Sequence, residues 1–169
     1  MRLENRAMRW TGKLGAALLG LAAACSPQAG TGAPAATAAS PAVHPVSGLP
    51  VAPLTVTSAG KVHRFRVELA RTGDEQSRGL MFRTALGPDE GMIFPMDPPR
   101  DASFWMRNTV IPLDLIFIGP DRRILNIAAN AVPYDERPLA SAGPVSAVLE
   151  LAGGKAAMLG IMPGDKVDW

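Results

Sequence analysis

A long uncharged segment near the N-terminus limits how much of this chain can form a folded core. From Ser26 to Gly60 there is no Asp, Glu, Lys or Arg, and Ala, Pro, Ser, Thr and Gly dominate. Such a segment has few large apolar side chains to bury, so burial cannot offset the entropy lost on ordering. We therefore predict a disordered, Pro-stiffened tether over residues 26–53 and a single globular domain over residues 54–169.

The residues before the tether have the pattern of a secretory signal peptide. Four basic residues precede an apolar run from Leu14 to Ala24. That run is shorter than the about 20 apolar residues that span a bilayer. Small residues follow it, as cleavage requires. We predict a signal peptide over residues 1–25 and export to the periplasmic face of the cell envelope.

The only cysteine of the chain lies at the end of this apolar run. "LAAAC", which ends at Cys25, resembles the lipobox of bacterial lipoproteins, in which the cysteine is acylated. A lone cysteine cannot form an internal disulfide, and lipid anchoring explains why an exported protein keeps one. Ser26 at the next position favours the outer membrane. The alternative is ordinary cleavage nearby, which leaves a free thiol or removes it.

The charge balance argues against a nucleic-acid partner. The chain has 17 Lys and Arg against 15 Asp and Glu. Four of the basic residues and one acid belong to the leader, so its removal leaves 13 basic and 14 acidic side chains. Binding to phosphate backbones requires a basic surface, which this balance does not supply.

Alternating polarity and turn residues predict a mainly β domain. "KVHRFRVELA" alternates polar and apolar residues, which is typical of a strand with one solvent-exposed face. "LDLIFIGPDRRILNIAA" is the clearest hairpin, with Pro120 at the second position of its turn. Further strands are predicted at "LTVT", at "MIFPM" (ended by Pro95), at "VSAVLELAGG" and at "KVDW".

Capping signals predict two short helices. Thr72 and Glu75 form a capping box at the start of the first helix. Gly160, with Pro163 shortly after, ends the second. We expect a β-rich α+β fold with a compact barrel- or sandwich-like sheet and two short helices.

The segment "SFWMRNTVIPLD" is rich in aromatic and polar residues. As a strand it would turn Phe104 and Met106 to one side, and Trp105 and Arg107 to the other. The second pair places an indole beside a guanidinium, which suits a cation–π contact.

The second half of that segment contains turn-forming residues. Asn108 tolerates a turn and Pro112 ends the ladder, so Arg107, Asn108 and Asp114 are expected to gather at one strand end. The alternative is a structural corner in which Asn108 bonds to the backbone and Arg107 pairs with Asp114.

Several segments together resemble the domain-of-unknown-function family 192, also called the uncharacterised ACR family. In order along the chain they are "RGLMFR", "GMIF", "FWMRNTVIPLD", "VLEL" and "GIMPGDKV", and they cover most of residues 61–169. Arg107 stands where members of the family commonly have Lys. The resemblance implies a small β-rich fold with short helices, and it implies no established activity.

The first functional hypothesis is binding of a small polar or anionic ligand, or of a cell-envelope protein. Arginines suit carboxylates and phosphates, Asn and Thr add neutral hydrogen bonds, and Trp offers an apolar platform. The two acids in the set would orient the arginines. The candidate residues are Arg78, Arg83, Trp105, Arg107, Asn108, Thr109, Asp114 and Glu150. The alternative for Arg78 is a surface pair with Asp74 or Glu75 on the same helix.

Two other hypotheses remain open. A carboxylate-dependent hydrolase could use Asp114 and Glu150 as acid and base, although no Cys–His, Ser-His-Asp or phosphate-loop pattern is present. A soft-metal carrier could use thioethers, although methionine is also a common core filler. The methionines are Met81, Met92, Met96, Met106, Met158 and Met162. No cofactor is predicted.

Overall fold

The structure is a computed structural model that describes residues 42–169. The predicted signal peptide, Cys25 and most of the predicted tether lie outside these residues. The described part contains nine strands and two helices, and none of its helices is long and apolar enough to cross a membrane. The elements are β1 (Val51–Ser58), β2 (Lys61–Leu69), α1 (Gly73–Arg78), β3 (Glu90–Arg100), β4 (Ser103–Phe104), β5 (Leu113–Ile118), β6 (Ile124–Ala131), β7 (Leu139–Ala140), β8 (Val145–Ala152), α2 (Lys155–Leu159) and β9 (Lys166–Asp168).

Seven of the strands form one mixed sheet in the order β6-β5-β8-β3-β2-β1-β9. The neighbours are antiparallel except for the parallel pair β2–β3, whose connection contains α1. β4 and β7 form a separate two-stranded sheet. The predicted β-rich α+β fold is confirmed, and a sandwich-like description fits it. The barrel-like alternative does not fit, because the edge strands β6 and β9 do not pair along their length. They approach each other only near the isolated bridge between Arg123 and Lys166.

The large sheet carries a hydrophobic core on each face. The first core contains Leu149 and Leu151 of β8 and is covered by α2. The second core contains Val148 of the same strand and lies on the face near α1 and β4. Successive strand residues point to opposite faces, so β8 contributes alternately to the two cores.

The local sequence signals place both helices. Thr72 Oγ1 accepts a hydrogen bond from the backbone N–H of Glu75, and Glu75 Oε2 accepts one from the backbone N–H of Thr72, so the capping box is confirmed. Gly160 ends α2 with a left-handed φ of 69°, which glycine adopts without strain. The β5–β6 hairpin turns through Gly119–Arg122, with Pro120 at the predicted position.

Three predicted strand boundaries are wrong. β1 begins at Val51 rather than at residue 54; its Pro53 is tolerated because β9 pairs only farther along, from Thr55. β3 continues through Pro95 to Arg100 with a shift in its pairing to β8. The aromatic segment forms a strand only over Ser103–Phe104, since β7 offers just two residues to pair with it.

Candidate functional site

An open cavity of about 490 Å³ lies on the second-core face of the sheet. We call it the Glu150 cavity, after the residue at its floor. Its walls come from the end of α1 and the chain after it, the end of β3, the chain through β4, and Thr109. Apolar lining side chains include Leu80, Phe94, Met96, Phe104 and Trp105, and polar ones include Gln76, Ser77, Arg78, Arg100, Asp101 and Thr109. This mixture of apolar walls and few polar groups is typical of small-molecule sites.

Glu150 occupies a position on β8 where the surrounding pattern is apolar. Its partners in the strand register are Met92 of β3 and Leu115 of β5, both members of the second core. β3 approaches β8 closely here, because a Cβ on Gly91 would lie 2.4 Å from the Glu150 carbonyl oxygen. A glycine is therefore required beside the carboxyl-bearing residue.

The Glu150 carboxyl is buried without compensation. The residue is 5% exposed, and its Oε2 atom has no hydrogen-bond partner among residues 42–169. Burial raises the pKa of Glu150 to about 8 because the charged form loses its hydration. The carboxyl therefore holds its proton at neutral pH and can donate one O–H hydrogen bond.

Arg78 lies at the mouth of the cavity. It is the last residue of α1, and its side chain is exposed. Among residues 42–169 no ion pair joins it to Asp74 or Glu75, and the Glu75 carboxylate is occupied by the capping box. The alternative, a surface ion pair of Arg78 with Asp74 or Glu75, is therefore not formed among the described residues.

Trp105 and Arg107 pair as their alternation predicts. The Arg107 guanidinium carbon lies 4.0 Å from the centroid of the Trp105 ring, and Trp105, 48% exposed, also lines the cavity. Arg107 itself does not line it. Its Nη2 donates to Glu136 Oε2 at 2.7 Å, so its acidic partner is Glu136 rather than Asp114.

Asn108 and Thr109 diverge after the turn. Asn108 has a left-handed φ of 55°, its carbonyl accepts from the backbone N–H of Phe82, and its side-chain amide lies 3.8 Å from Met81 Sδ. It therefore ties the turn to the segment after α1 through its backbone carbonyl and its contact with Met81. The alternative bond from its side chain to the backbone is not found among the hydrogen bonds of residues 42–169. Thr109 is buried and lines the cavity, and its hydroxyl donates to the Arg107 carbonyl at 3.3 Å.

Asp114 is enclosed on the other face of the sheet. Its Oδ1 accepts from the backbone N–H groups of Asn130 (2.7 Å) and Gly154 (2.9 Å), and its Oδ2 accepts from that of Ala156 in α2 (2.7 Å). In the β5–β8 register it faces Leu151 of the first core, whereas Glu150 faces the second. The expected gathering of Arg107, Asn108 and Asp114 is therefore wrong. The acid–base pair of the hydrolase hypothesis is also absent, because its two carboxyls point to opposite sides.

Arg83 is held in a buried cluster away from the cavity. Its Nη2 lies 2.5 Å from Glu68 Oε1 and 3.1 Å from His44 Nδ1, and the Ser47 hydroxyl also donates to Glu68. Both charged side chains are largely buried. This cluster fixes the chain before β1 onto β2. It gives Arg83 a structural partner, and Arg83 does not line the Glu150 cavity.

The structure thus brings Arg78, Trp105, Thr109 and Glu150 together as lining residues of the Glu150 cavity, and the other four candidates do not line it. Sequence reasoning missed Arg100 and Asp101, which line the cavity after β3. The only signal in the sequence was the charged pair that follows two prolines in "DPPRD".

The methionines divide between the core and the surface. Met92, Met96 and Met106 belong to the second core, and Met158 and Met162 are exposed. Core filling therefore accounts for three of them. The described residues contain no group of three or more His, Cys, Asp or Glu side chains placed to hold a metal ion.

Comparison with known proteins places the chain in a family. The sequence pattern of the Uncharacterized ACR family, DUF192, matches residues 54–169. The chain belongs to this family. No curated protein matches it significantly.

Two solved structures resemble the chain. A protein of unknown function from Novosphingobium aromaticivorans DSM 12444 is 69% identical, with a TM-score of 0.75, and the match covers 78% of this chain and 94% of that one. A proposed transcription regulator from Sinorhizobium meliloti 1021 is 40% identical, with a TM-score of 0.67, and the match covers 69% of this chain and 91% of that one. These relatives support the DUF192 fold and name no ligand.

Proposed function

We propose that this DUF192 protein binds a small organic anion with an apolar body in the Glu150 cavity. One observation carries the proposal: Glu150, whose buried Oε2 atom has no hydrogen-bond partner among residues 42–169, lines an open cavity. An unsatisfied buried polar atom costs about 1–3 kcal/mol. A ligand that supplies the missing partner would recover that free energy.

The charges at the mouth favour an anion. Arg78 and Arg100 are both exposed cavity residues, and Asp101 is the one acid beside them. Glu150 is mostly protonated at neutral pH and adds little charge, because burial raises its pKa to about 8. The cavity therefore has an excess of positive charge, and guanidinium groups pair well with carboxylates and phosphates.

The walls favour an apolar body. Phe104 and Trp105 line the cavity, and Phe104 packs edge-on against Phe94 with ring centroids 5.1 Å apart. Rings held this way form a rigid apolar surface that loses little entropy when a ligand binds. The ligand class is therefore an organic acid rather than an inorganic anion.

We also propose that the protein is exported to the cell envelope. The basic and apolar leader, together with the lipobox-like "LAAAC", supports export and acylation at Cys25. The domain would then collect its ligand on the periplasmic side, at the outer membrane. Metabolic labelling with a radioactive fatty acid tests this part, and a Cys25→Ser protein that still incorporates label would refute it.

Ligand capture from the cell tests the binding proposal. We would purify the exported protein without denaturation, extract its small molecules and identify them by mass spectrometry. Ser77→Trp should block the cavity, because Ser77 is an exposed helix residue at its wall. Arg71→Trp is the matched control, since Arg71 is exposed just before α1 and does not line the cavity.

We expect one organic acid to co-purify with the wild-type and Arg71→Trp proteins and to be missing from Ser77→Trp. Equal amounts in all three proteins would show that the compound binds elsewhere. Absence from all three would remove the proposal.

A further inference from the structure

We propose that Glu150 acts as a hydrogen-bond donor that selects anions carrying a neutral acceptor oxygen, such as a carbonyl, at the end opposite the anionic group. The inference rests on the proposed function and specifies its ligand.

The polar groups of the cavity lie at two depths. Glu150 is 5% exposed and stands on a central strand, between β3 and β5. Arg78 and Arg100 are exposed side chains at the ends of α1 and β3. A ligand that pairs with the arginines at the mouth therefore reaches Glu150 with its other end.

The surroundings of Glu150 leave its proton available. Its neighbours across the strands are Met92 and Leu115. Their side chains contain no oxygen, nitrogen or charge that could pair with the carboxyl group. The charged residues that line the same cavity are Arg78 from α1, Arg100 from the end of β3 and Asp101 after it. None of them forms an ion pair with Glu150 among residues 42–169.

Burial decides which form of the carboxyl meets the ligand. Because its pKa is raised to about 8 by desolvation, the group offers an O–H donor at neutral pH and loses that donor in alkaline solution. A ligand oxygen without a hydrogen then gains a bond, whereas an apolar group of the same shape leaves the donor unpaired. Sites of this kind discriminate strongly against analogues that lack the polar group.

Two isosteric probes separate these cases. Para-acetylbenzoate carries a carbonyl opposite its carboxylate, and para-isopropenylbenzoate has nearly the same planar shape without the acceptor. Isothermal titration calorimetry at pH 6 should show para-acetylbenzoate binding about tenfold more tightly, the value of one buried hydrogen bond. At pH 9.5 this preference should disappear, because the ionised carboxylate repels the acceptor.

Two variants complete the experiment. Glu150→Gln should keep the preference at both pH values, since its amide still donates and does not titrate. Glu150→Leu should abolish it at both, and circular dichroism would verify that each variant is folded.

The outcomes distinguish the inference from the proposed function. If both probes bind wild-type protein equally at pH 6, the donor role is refuted and anion binding stands. If the preference survives in Glu150→Leu, another residue provides it and the inference is again refuted. If neither probe binds, the proposed function fails and the inference falls with it.

Discussion

Replacing Glu150 by glutamine should change how the stability of the protein depends on pH. In the wild type the carboxyl keeps its proton in the folded state up to about pH 8, whereas in the unfolded chain it ionises near 4.5. Between these values the folded state binds more protons than the unfolded state, so the free energy of unfolding falls as pH rises. Glutamine is nearly isosteric and does not titrate.

The expected magnitude follows from the two pKa values. Each factor of ten in proton affinity corresponds to about 1.4 kcal/mol. Between pH 5 and pH 8 the wild type should therefore lose about 3 kcal/mol of unfolding free energy relative to Glu150→Gln. For a domain with a urea m-value of about 2 kcal/mol per M, this is a shift of roughly 1.5 M in the difference between their unfolding midpoints.

Urea unfolding of both proteins at pH 5, 6.5 and 8, followed by circular dichroism, measures the difference directly. Glu75→Gln is the control: hydrogen bonds from the backbone N–H groups of Thr72 and Arg71 lower the pKa of Glu75. The stability that Glu75 contributes through its lowered pKa is lost only as the pH falls below about 4.5, the ordinary pKa of a glutamate. The difference in unfolding free energy between Glu75→Gln and the wild type should therefore not change between pH 5 and pH 8. A flat difference for Glu150→Gln as well would mean that the carboxyl is hydrated and ionises normally, and the donor argument would fail.

Three further substitutions test the structural assignments by urea unfolding. Arg83→Met should destabilise the domain by about 3 kcal/mol, because it leaves the buried Glu68 carboxylate without its guanidinium partner. Adding Glu68→Gln should restore part of the loss, and an unchanged unfolding midpoint for Arg83→Met alone would show that the pair is open to water. Asp114→Asn should cost about 2–3 kcal/mol, because one amide oxygen cannot accept from three backbone N–H groups; an unchanged midpoint would contradict this role. Gly91→Ala should cost about 2 kcal/mol or more through a clash with β8, whereas Gly143→Ala, with nothing within 4 Å of its added Cβ, should be within about 0.5 kcal/mol of the wild type; equal effects would refute the close-approach argument.

Local patterns predicted the elements of this fold well, because they depend on neighbouring residues. The capping box of Thr72 and Glu75 and the Pro120 turn are each decided within a few positions of sequence, and the structure has both. The alternation of buried and exposed residues through Trp105 also held, even though the strand ends at Phe104. Strand length failed where it depends on a distant partner such as the two-residue β7.

The site was harder to predict because burial and partners are non-local. Asp114 looked like a ligand-binding carboxylate, yet two of its three donors lie about 40 residues away in sequence, around the start of α2. Glu150 was expected to orient an arginine. The register of β3, β8 and β5 instead places it between two apolar residues, and its Oε2 atom has no hydrogen-bond partner among residues 42–169. Arg100 lines the cavity because β3 continues beyond Pro95 to Arg100. The sequence had indicated that this strand ends at Pro95.

The alternation along β8 makes the pairing register decide which side chain lines the Glu150 cavity. A slip of one position against β3 would carry the acid into the aliphatic layer formed by Leu149 and Leu151 and would turn a leucine toward the cavity. Gly91 opposes such a slip, because it is the one place in β3 that accepts the main chain of β8 at that distance without a side chain between them. The absence of a side chain at Gly91 thus helps to decide whether β8 presents the carboxyl group of Glu150 or a leucine side chain to the cavity.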